Sequence, residues 1–326
     1  MYEKIITHND FDGLASAAIC SYVFQINQIQ FAGPNTIANS QITVTEDDII
    51  CDLPYPLMCG LWFDHHAGNL DELKYRQIDP SSVPGSFELL PSCAHVCFNY
   101  FAPKHALPPH FKELVQAADI IDAFNYQSIA DWRQETPGKI IDAAIRAKRN
   151  YDIKHKRNLM RNWIFLLRDK PLAEVAQTDT IQECYREYQQ EEQLMLEIIE
   201  NNISFLPGDA NQELIILDLT HFNRPPFVIK NLAYLRCPDA LAVIEMKAHY
   251  RQGIKTTNFG ISMGLSLNLN SVEHQRDVGE IMRELNLGDG HAGAAGGTVY
   301  CQSKNEMLKE KERTLNEILR LWQEQV

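Results

Sequence analysis

Three short apolar runs in the first 66 residues each stop at an acid. Ile5-Ile6 leads into His8, Asp10 and Asp12 on alternate positions and then Gly13; Ile49-Ile50-Cys51 delivers Asp52; Leu61-Trp62-Phe63 delivers Asp64-His65-His66. Such runs read as strands buried on both faces, the pattern of a parallel sheet covered by helices. Leu14 to Phe24, apolar with small residues mixed in, reads as the helix after the first strand. Parallel strands present their C-terminal ends along one edge, so the chain is expected to gather all three clusters there in an α/β domain. A fourth source of acid is Ala117-Ala118-Asp119-Ile120-Ile121-Asp122, inside the amphipathic stretch from His110 to Phe124. One acid at a strand end is an ordinary cap or turn residue. Four clusters in one domain need another reason, because carboxylates massed at one edge repel each other unless a cation neutralises them.

Taken in order, HxDxDG, an isolated strand-end Asp, DHH and an Ala-Asp in a later helix resemble the four motifs of the DHH phosphoesterase superfamily. Near the other end, Gly288-Asp289-Gly290-His291-Ala292-Gly293-Ala294-Ala295-Gly296-Gly297 is similar to the glycine-rich signature of the DHH-associated C-terminal domain. The resemblance implies two Mn²⁺ ions, with Co²⁺ or Mg²⁺ as substitutes. It places His8 and Asp10 on the first ion, Asp12, His65 and Asp119 on the second, and Asp52 between them. Carboxylate and imidazole together suit such ions. Pairs of this kind, about 3.5–4 Å apart, clamp a phosphoryl group and supply a bridging hydroxide for in-line attack. The resemblance leaves His66 to face the substrate phosphate and Asp64 to orient the imidazoles. Asp122 rivals Asp119, since residues three apart share a helix face, and the Ala-Asp match favours Asp119.

In the C-terminal signature Gly288, Gly290, His291 and Gly296 are the expected substrate contacts. Asp289 stands where a glycine is more usual, and a carboxylate there repels phosphate unless it points away or meets a cation. The same segment also reads as a tight turn of small residues against a strand. Asn223 and Arg224, after the apolar run Leu214 to Leu219, offer a further phosphate contact or an ordinary surface.

The length, 326 residues, accommodates two cores. The expected division is a catalytic domain with a helical connector over 1–205 and a smaller C-terminal α/β domain over 206–326, with Pro207-Gly208-Asp209 at the boundary. Thr180 to Asn202 reads as a long acidic helix; residues 213–219, 240–246 and 259–267 read as strands, and 272–285 and 304–322 as helices. Most clustered base lies over 138–168, including Lys148, Arg149, Lys154, Lys156, Arg157, Arg161 and Arg168. A formal charge of −13 speaks against long duplex nucleic acid, which is held by massed Lys and Arg. No apolar run reaches the roughly 18–20 residues of a membrane span, and the chain starts at once with strand and motif, so a cytoplasmic location is expected. The eight cysteines form no CxxC pair, and Cys51, Cys59, Cys93, Cys97 and Cys237 sit in apolar surroundings typical of reduced, buried thiols. Apolar positions on the long helices permit a homodimer.

Together these features favour hydrolysis of a small phosphoester: a short oligonucleotide, a cyclic dinucleotide or a nucleotide such as 3′-phosphoadenosine 5′-phosphate. Phosphoanhydride hydrolysis, as in the related exopolyphosphatases and pyrophosphatases, is the second expectation, weakened because the pyrophosphatases' lysine-rich C-terminal motif is not visible. A non-catalytic nucleotide-sensing module is the third. Such a module has no need of two metal sites.

Overall fold

The structure, a computed structural model, describes residues 2–147, 152–224 and 226–325. The chain divides into two compact units, residues 1–125 with 135–191, and residues 126–134 with 192–326. Lys148 and Arg149 of the basic stretch lie outside the described residues.

The first unit begins with β1 (Lys4–Thr7), α1 (Phe11–Phe24), β2 (Gln28–Phe31), α2 (Pro34–Ala38), β3 (Asp48–Cys51), β4 (Leu61–Asp64), α3 (Ala67–Tyr75) and β5 (Gly85–Phe87). Helices α4 (Cys93–Phe101) and α5 (His110–Asp122) follow. After α6 (Ile129–Arg133), which belongs to the second unit, come α7 (Pro137–Arg146), α8 (Ile153–Asp169) and α9 (Leu172–Ala176). The strands form one all-parallel sheet in the order β2-β1-β3-β4-β5. Chain order reverses between β1 and β3, and at such a switch point a crevice opens beyond the C-terminal strand ends. His8, Asp10 and Asp12 follow β1 and Asp52 follows β3, so the topology brings two of the acidic clusters to that crevice.

The apolar runs are strands because both sheet faces are covered. Ile6, Ile50 and Trp62 stand in register on one face and join Ile37, Leu53 and Leu73 in a buried cluster. Helix α1 is buried from Phe11 to Ser21, which explains a sequence apolar on nearly every side. Its first turn is held tightly: a Cβ at position 13 would lie 2.4 Å from the His8 carbonyl oxygen, so only glycine fits. The thiols of Cys20, Cys51, Cys93 and Cys97 are wholly buried, whereas Cys237 is only half-buried.

Helix α10 (Asp179–Glu200) runs from the first unit into the second, which contains β6 (Ile203–Ser204), β7 (Leu214–Asp218), β8 (Ala242–Arg251), β9 (Ile254–Leu265), α11 (Val278–Glu284), β10 (Gly288–His291), β11 (Ala294–Val299) and α12 (Lys304–Glu324). Its sheet has the order β10-β11-β9-β8-β7-β6 and is mixed, with β7 and β8 parallel and the other pairs antiparallel. Alternation along β7 sends Leu214 and Ile216 to one buried cluster and Ile215 and Leu217 to the other, so this sheet too is covered on both faces. The helix expected over 272–285 begins only at Val278, where the Asp277 side chain accepts from the Glu280 N–H. The α/β class expected from the sequence is what the chain adopts. No helix among the described residues is long and apolar enough to cross a membrane.

Candidate metal centre

Asp52 is the hub. It ends β3 in the left-handed region, φ 57°, and its amide donates to the Phe63 carbonyl of the neighbouring strand at 3.0 Å. That conformation is strained for most residues and tolerable for Asp or Asn. It turns the carboxylate into the crevice. His8 Nδ1 lies 2.6 Å from Asp10 Oδ2 and 3.6 Å from Asp52 Oδ2. On the other side His65 Nε2 lies 3.6 Å from Asp52 Oδ1, 3.6 Å from Asp12 Oδ2 and 3.3 Å from Asp122 Oδ2. Two ligand groups, His8/Asp10/Asp52 and Asp12/His65/Asp122, therefore adjoin, linked by Asp52, which also clusters with His65 and His66.

Each side chain is aimed by its neighbours. Asp10 caps α1, accepting from the Gly13 N–H at 2.9 Å. Asp12 accepts the first-turn amides of α4, from Cys93 at 2.7 Å and Ala94 at 2.8 Å. His65 Nδ1–H donates to the Leu90 carbonyl at 2.9 Å, which leaves Nε2 for a ligand. Asp64, fully buried, binds His66 Nδ1 at 2.9 Å and accepts from Asn69 Nδ2 at 2.7 Å. It thus orients His66, while the Leu90 carbonyl orients His65.

The expectation that Asp119 joins the ligands is not what the geometry gives. Its carboxylate accepts from Ser92 Oγ at 2.6 Å and meets His95 Nδ1 at 2.9 Å, at the N-terminus of α4. Asp122, three residues and about 4.5 Å further along α5, reaches His65 instead. Neither Ser92 nor His95 stands out in the sequence. Their signal was present as an N-cap serine before a helix, with nothing to mark Asp119 as its partner.

Charge and burial make the centre a trap for a cation. Among the described residues, both Asp52 carboxylate oxygens and His65 Nε2 are buried without a hydrogen-bond partner. An orphaned buried carboxylate costs far more than a satisfied one. A divalent cation fits these donors, which are hard oxygens and imidazole with no thiolate among them. In the metal-free protein protons stand in for it. Burial pulls the His8 imidazole down, but the Asp10 and Asp52 carboxylates overcome it and raise it to about 10. His65 is likewise raised to about 9, burial being outweighed by Asp52 and Asp12. Burial, then Asp52, pushes Asp122 up to about 6, and burial also raises Asp12 and Asp52. Cations must displace the imidazole protons, so loading Mn²⁺ at pH 7 should release about two protons per chain, and affinity should climb with pH from 6 towards 9. Calorimetry in two buffers of different ionisation enthalpy measures that release; none at all would contradict the assignment.

In the second unit, the glycine-rich signature is the β10–β11 hairpin. Gly290 faces Ala295 across the pair, and a Cβ there would lie 2.4 Å from the Ala295 Cα, so the small residues serve close strand approach. Asp289 does meet a cation: Arg283 Nη1 donates to it at 2.9 Å, and the Gly290 N–H donates at 2.8 Å. His291, exposed, accepts the Gly293 N–H at Nδ1 and presents Nε2 to solvent. A residue with no signal in the sequence is Lys230. Its half-buried ammonium donates to Ser262 Oγ at 3.2 Å and the Met263 carbonyl at 2.8 Å, on the strand that pairs with Ala295 and Gly296.

No family model and no curated protein matches the chain. Among solved structures it is similar to a pGpG-specific phosphodiesterase from Vibrio cholerae, with 23% identity, 98% of this chain and 99% of that one covered, and a TM-score of 0.72. It is also similar to the DHH domain of a member of a ribosomal-protein family, with 13% identity, coverage of 98% and 86%, and a TM-score of 0.59. RecJ from Thermus thermophilus in complex with Mn²⁺ is a third, with 13% identity, coverage of 98% and 52%, and a TM-score of 0.55.

Proposed function

We propose that this chain, which has the fold of the DHH proteins, is a divalent-metal-dependent phosphodiesterase acting on short linear nucleotides. The observation that carries the reading is the shared carboxylate: Asp52 sits at the switch point with both oxygens buried and unpartnered, flanked by a ligand group on each side. His8, Asp10 and Asp52 would hold one cation, and Asp12, His65 and Asp122, with Asp52, the other. When bound, the pair supplies Lewis acidity that draws charge from the phosphoryl group and acidifies water. Mn²⁺ is the preferred ion, in keeping with the oxygen and imidazole donors.

His66 then acts on the substrate itself. Its side chain is 50% exposed where His65 is 9%, and Asp64 at Nδ1 both fixes the ring and raises its pKa against burial. When the ring is protonated, its Nε2–H would donate to a phosphoryl oxygen, and that bond would strengthen as negative charge grows there. His291 on the second unit's hairpin contributes to substrate binding alone. His66→Ala should therefore lower kcat by on the order of 10²–10³ even at saturating substrate, whereas His291→Ala should raise KM and leave kcat and metal content unchanged. Steady-state kinetics and metal analysis of the two variants check this division; a kcat loss confined to His291→Ala would reverse the roles.

The short-linear-substrate reading draws on the full-length likeness to a phosphodiesterase described as pGpG-specific, and on an acidic surface unsuited to long strands. The test is a panel with Mn²⁺: pGpG, a cyclic dinucleotide, 3′-phosphoadenosine 5′-phosphate, pyrophosphate, polyphosphate and long single-stranded DNA. The linear dinucleotide should give the highest kcat/KM, with little dependence on salt. Preference for long DNA with a steep fall between low and moderate salt would replace this reading with that of a processive exonuclease.

A further inference from the structure

The second unit holds a cavity of about 450 Å³ for which the proposed chemistry has no use. Three lysines line it: Lys255 at the start of β9, and Lys304 and Lys311 on α12. In a chain with 43 acidic and 30 basic residues, no carboxylate lines this cavity. Lys311 is fixed in the wall, its ammonium bonded to Asp218 and, at 2.8 Å, to Thr220 Oγ1. Among the described residues, Lys255 and Lys304 take part in no ion pair with an acid. Lys304 is also the first residue of a helix of 21 residues, whose N-terminus is capped by Ser303 and carries Glu306 in its first turn. His221 and Asn223 complete a polar wall, while Met307 and Leu308 supply an apolar one. Of the two residues the sequence offers as a phosphate contact, Asn223 and Arg224, Asn223 lines this cavity.

We propose that this cavity binds a small phosphate ester of mononucleotide size. Lysines held without an acid partner select a phosphate over a neutral ligand. The volume lies within the roughly 300–1,000 Å³ of small-molecule sites, so inorganic phosphate would leave most of it empty, and the apolar wall suits a base or sugar face. The site is distinct from the glycine hairpin: Lys255 is six residues before Ile261, the partner of Gly297, a span of about 20 Å along β9. It stands independently of the metal centre in the first unit.

The experiment is titration calorimetry on the full-length protein, freed of metal with a chelator, using AMP, GMP, adenosine, guanosine and inorganic phosphate. Saturable binding of AMP or GMP is expected, with the nucleoside and inorganic phosphate each at least about tenfold weaker. The Lys255→Gln/Lys304→Gln double variant should lose about tenfold or more. Leu308→Arg, which crowds the apolar wall from a half-exposed position, should weaken the nucleotide more than phosphate. Asp52→Asn should bind as the wild type does. Absence of saturable nucleotide binding, equal affinity for phosphate alone, or a loss in Asp52→Asn with none in the lysine variant would each overturn the proposal. Unchanged thermal midpoints for the variants establish that they fold.

Discussion

Asp52→Asn should leave the protein unable to hold two cations and should cut kcat by on the order of 10²–10³, while making the metal-free protein more stable. Both effects follow from one side chain. Asparagine keeps the shape and accepts the left-handed backbone at φ 57°, so the substitution adds no strain. What it removes is the negative charge that two ligand groups share. Burial raises the Asp52 pKa, so the ionised form is worse off folded than unfolded. For a carboxyl raised in this direction the penalty begins as pH climbs through its unfolded value, near 4, and grows until pH passes the raised folded value. Removing it should raise the metal-free thermal midpoint by a few degrees. With Mn²⁺ the order should invert, because the wild type gains binding energy that the variant cannot. Scanning calorimetry of both proteins, with and without Mn²⁺, reads the crossing. A variant that is less stable in both conditions would mean Asp52 is a structural residue.

Asp122→Asn should cost nearly as much activity and one ion per chain, whereas Asp119→Asn should keep both ions and lose about 10–100-fold at most. Asp122 Oδ2 lies 3.3 Å from His65 Nε2 and belongs to the second ligand group. Asp119 works at one remove: it holds Ser92 and His95 at the N-terminus of α4, the helix whose amides fix Asp12. Loosening it shifts Asp12 slightly without taking a ligand away. Metal content and kcat of the two variants decide the matter, and a lost ion in Asp119→Asn alone would restore the Ala-Asp reading.

That pair shows where the sequence stopped being legible. Apolar runs ending in acids announced a parallel sheet and the edge where the acids collect, because burial on both faces leaves a strong mark on composition. The choice between Asp119 and Asp122 left no such mark. Asp119 follows Val115 by four residues and Asp122 follows Ala118 by four, so both stand in line with the buried stripe of α5, Asp119 half-buried and Asp122 exposed. Only the placement of the helix along its own axis separates them, and that is set by packing from distant parts of the chain. The glycine-rich segment was legible as small residues against a strand, and Gly290 is required by the approach of Ala295. That Asp289 pairs with Arg283, six residues earlier, depends on how α11 folds back over the hairpin. Lys230 and the lysine-lined cavity were invisible for the same reason: their residues converge from separate segments of the second unit.

The claim on which the rest depends is that two cations share Asp52. A crystal of the protein grown with Mn²⁺, with anomalous scattering recorded at the manganese edge, tests it without reference to any substrate. The account predicts two peaks, one among His8, Asp10 and Asp52 and the other among Asp12, His65, Asp122 and Asp52. A single peak that leaves Asp52 unbound, or a peak on Asp119 in place of Asp122, would contradict it.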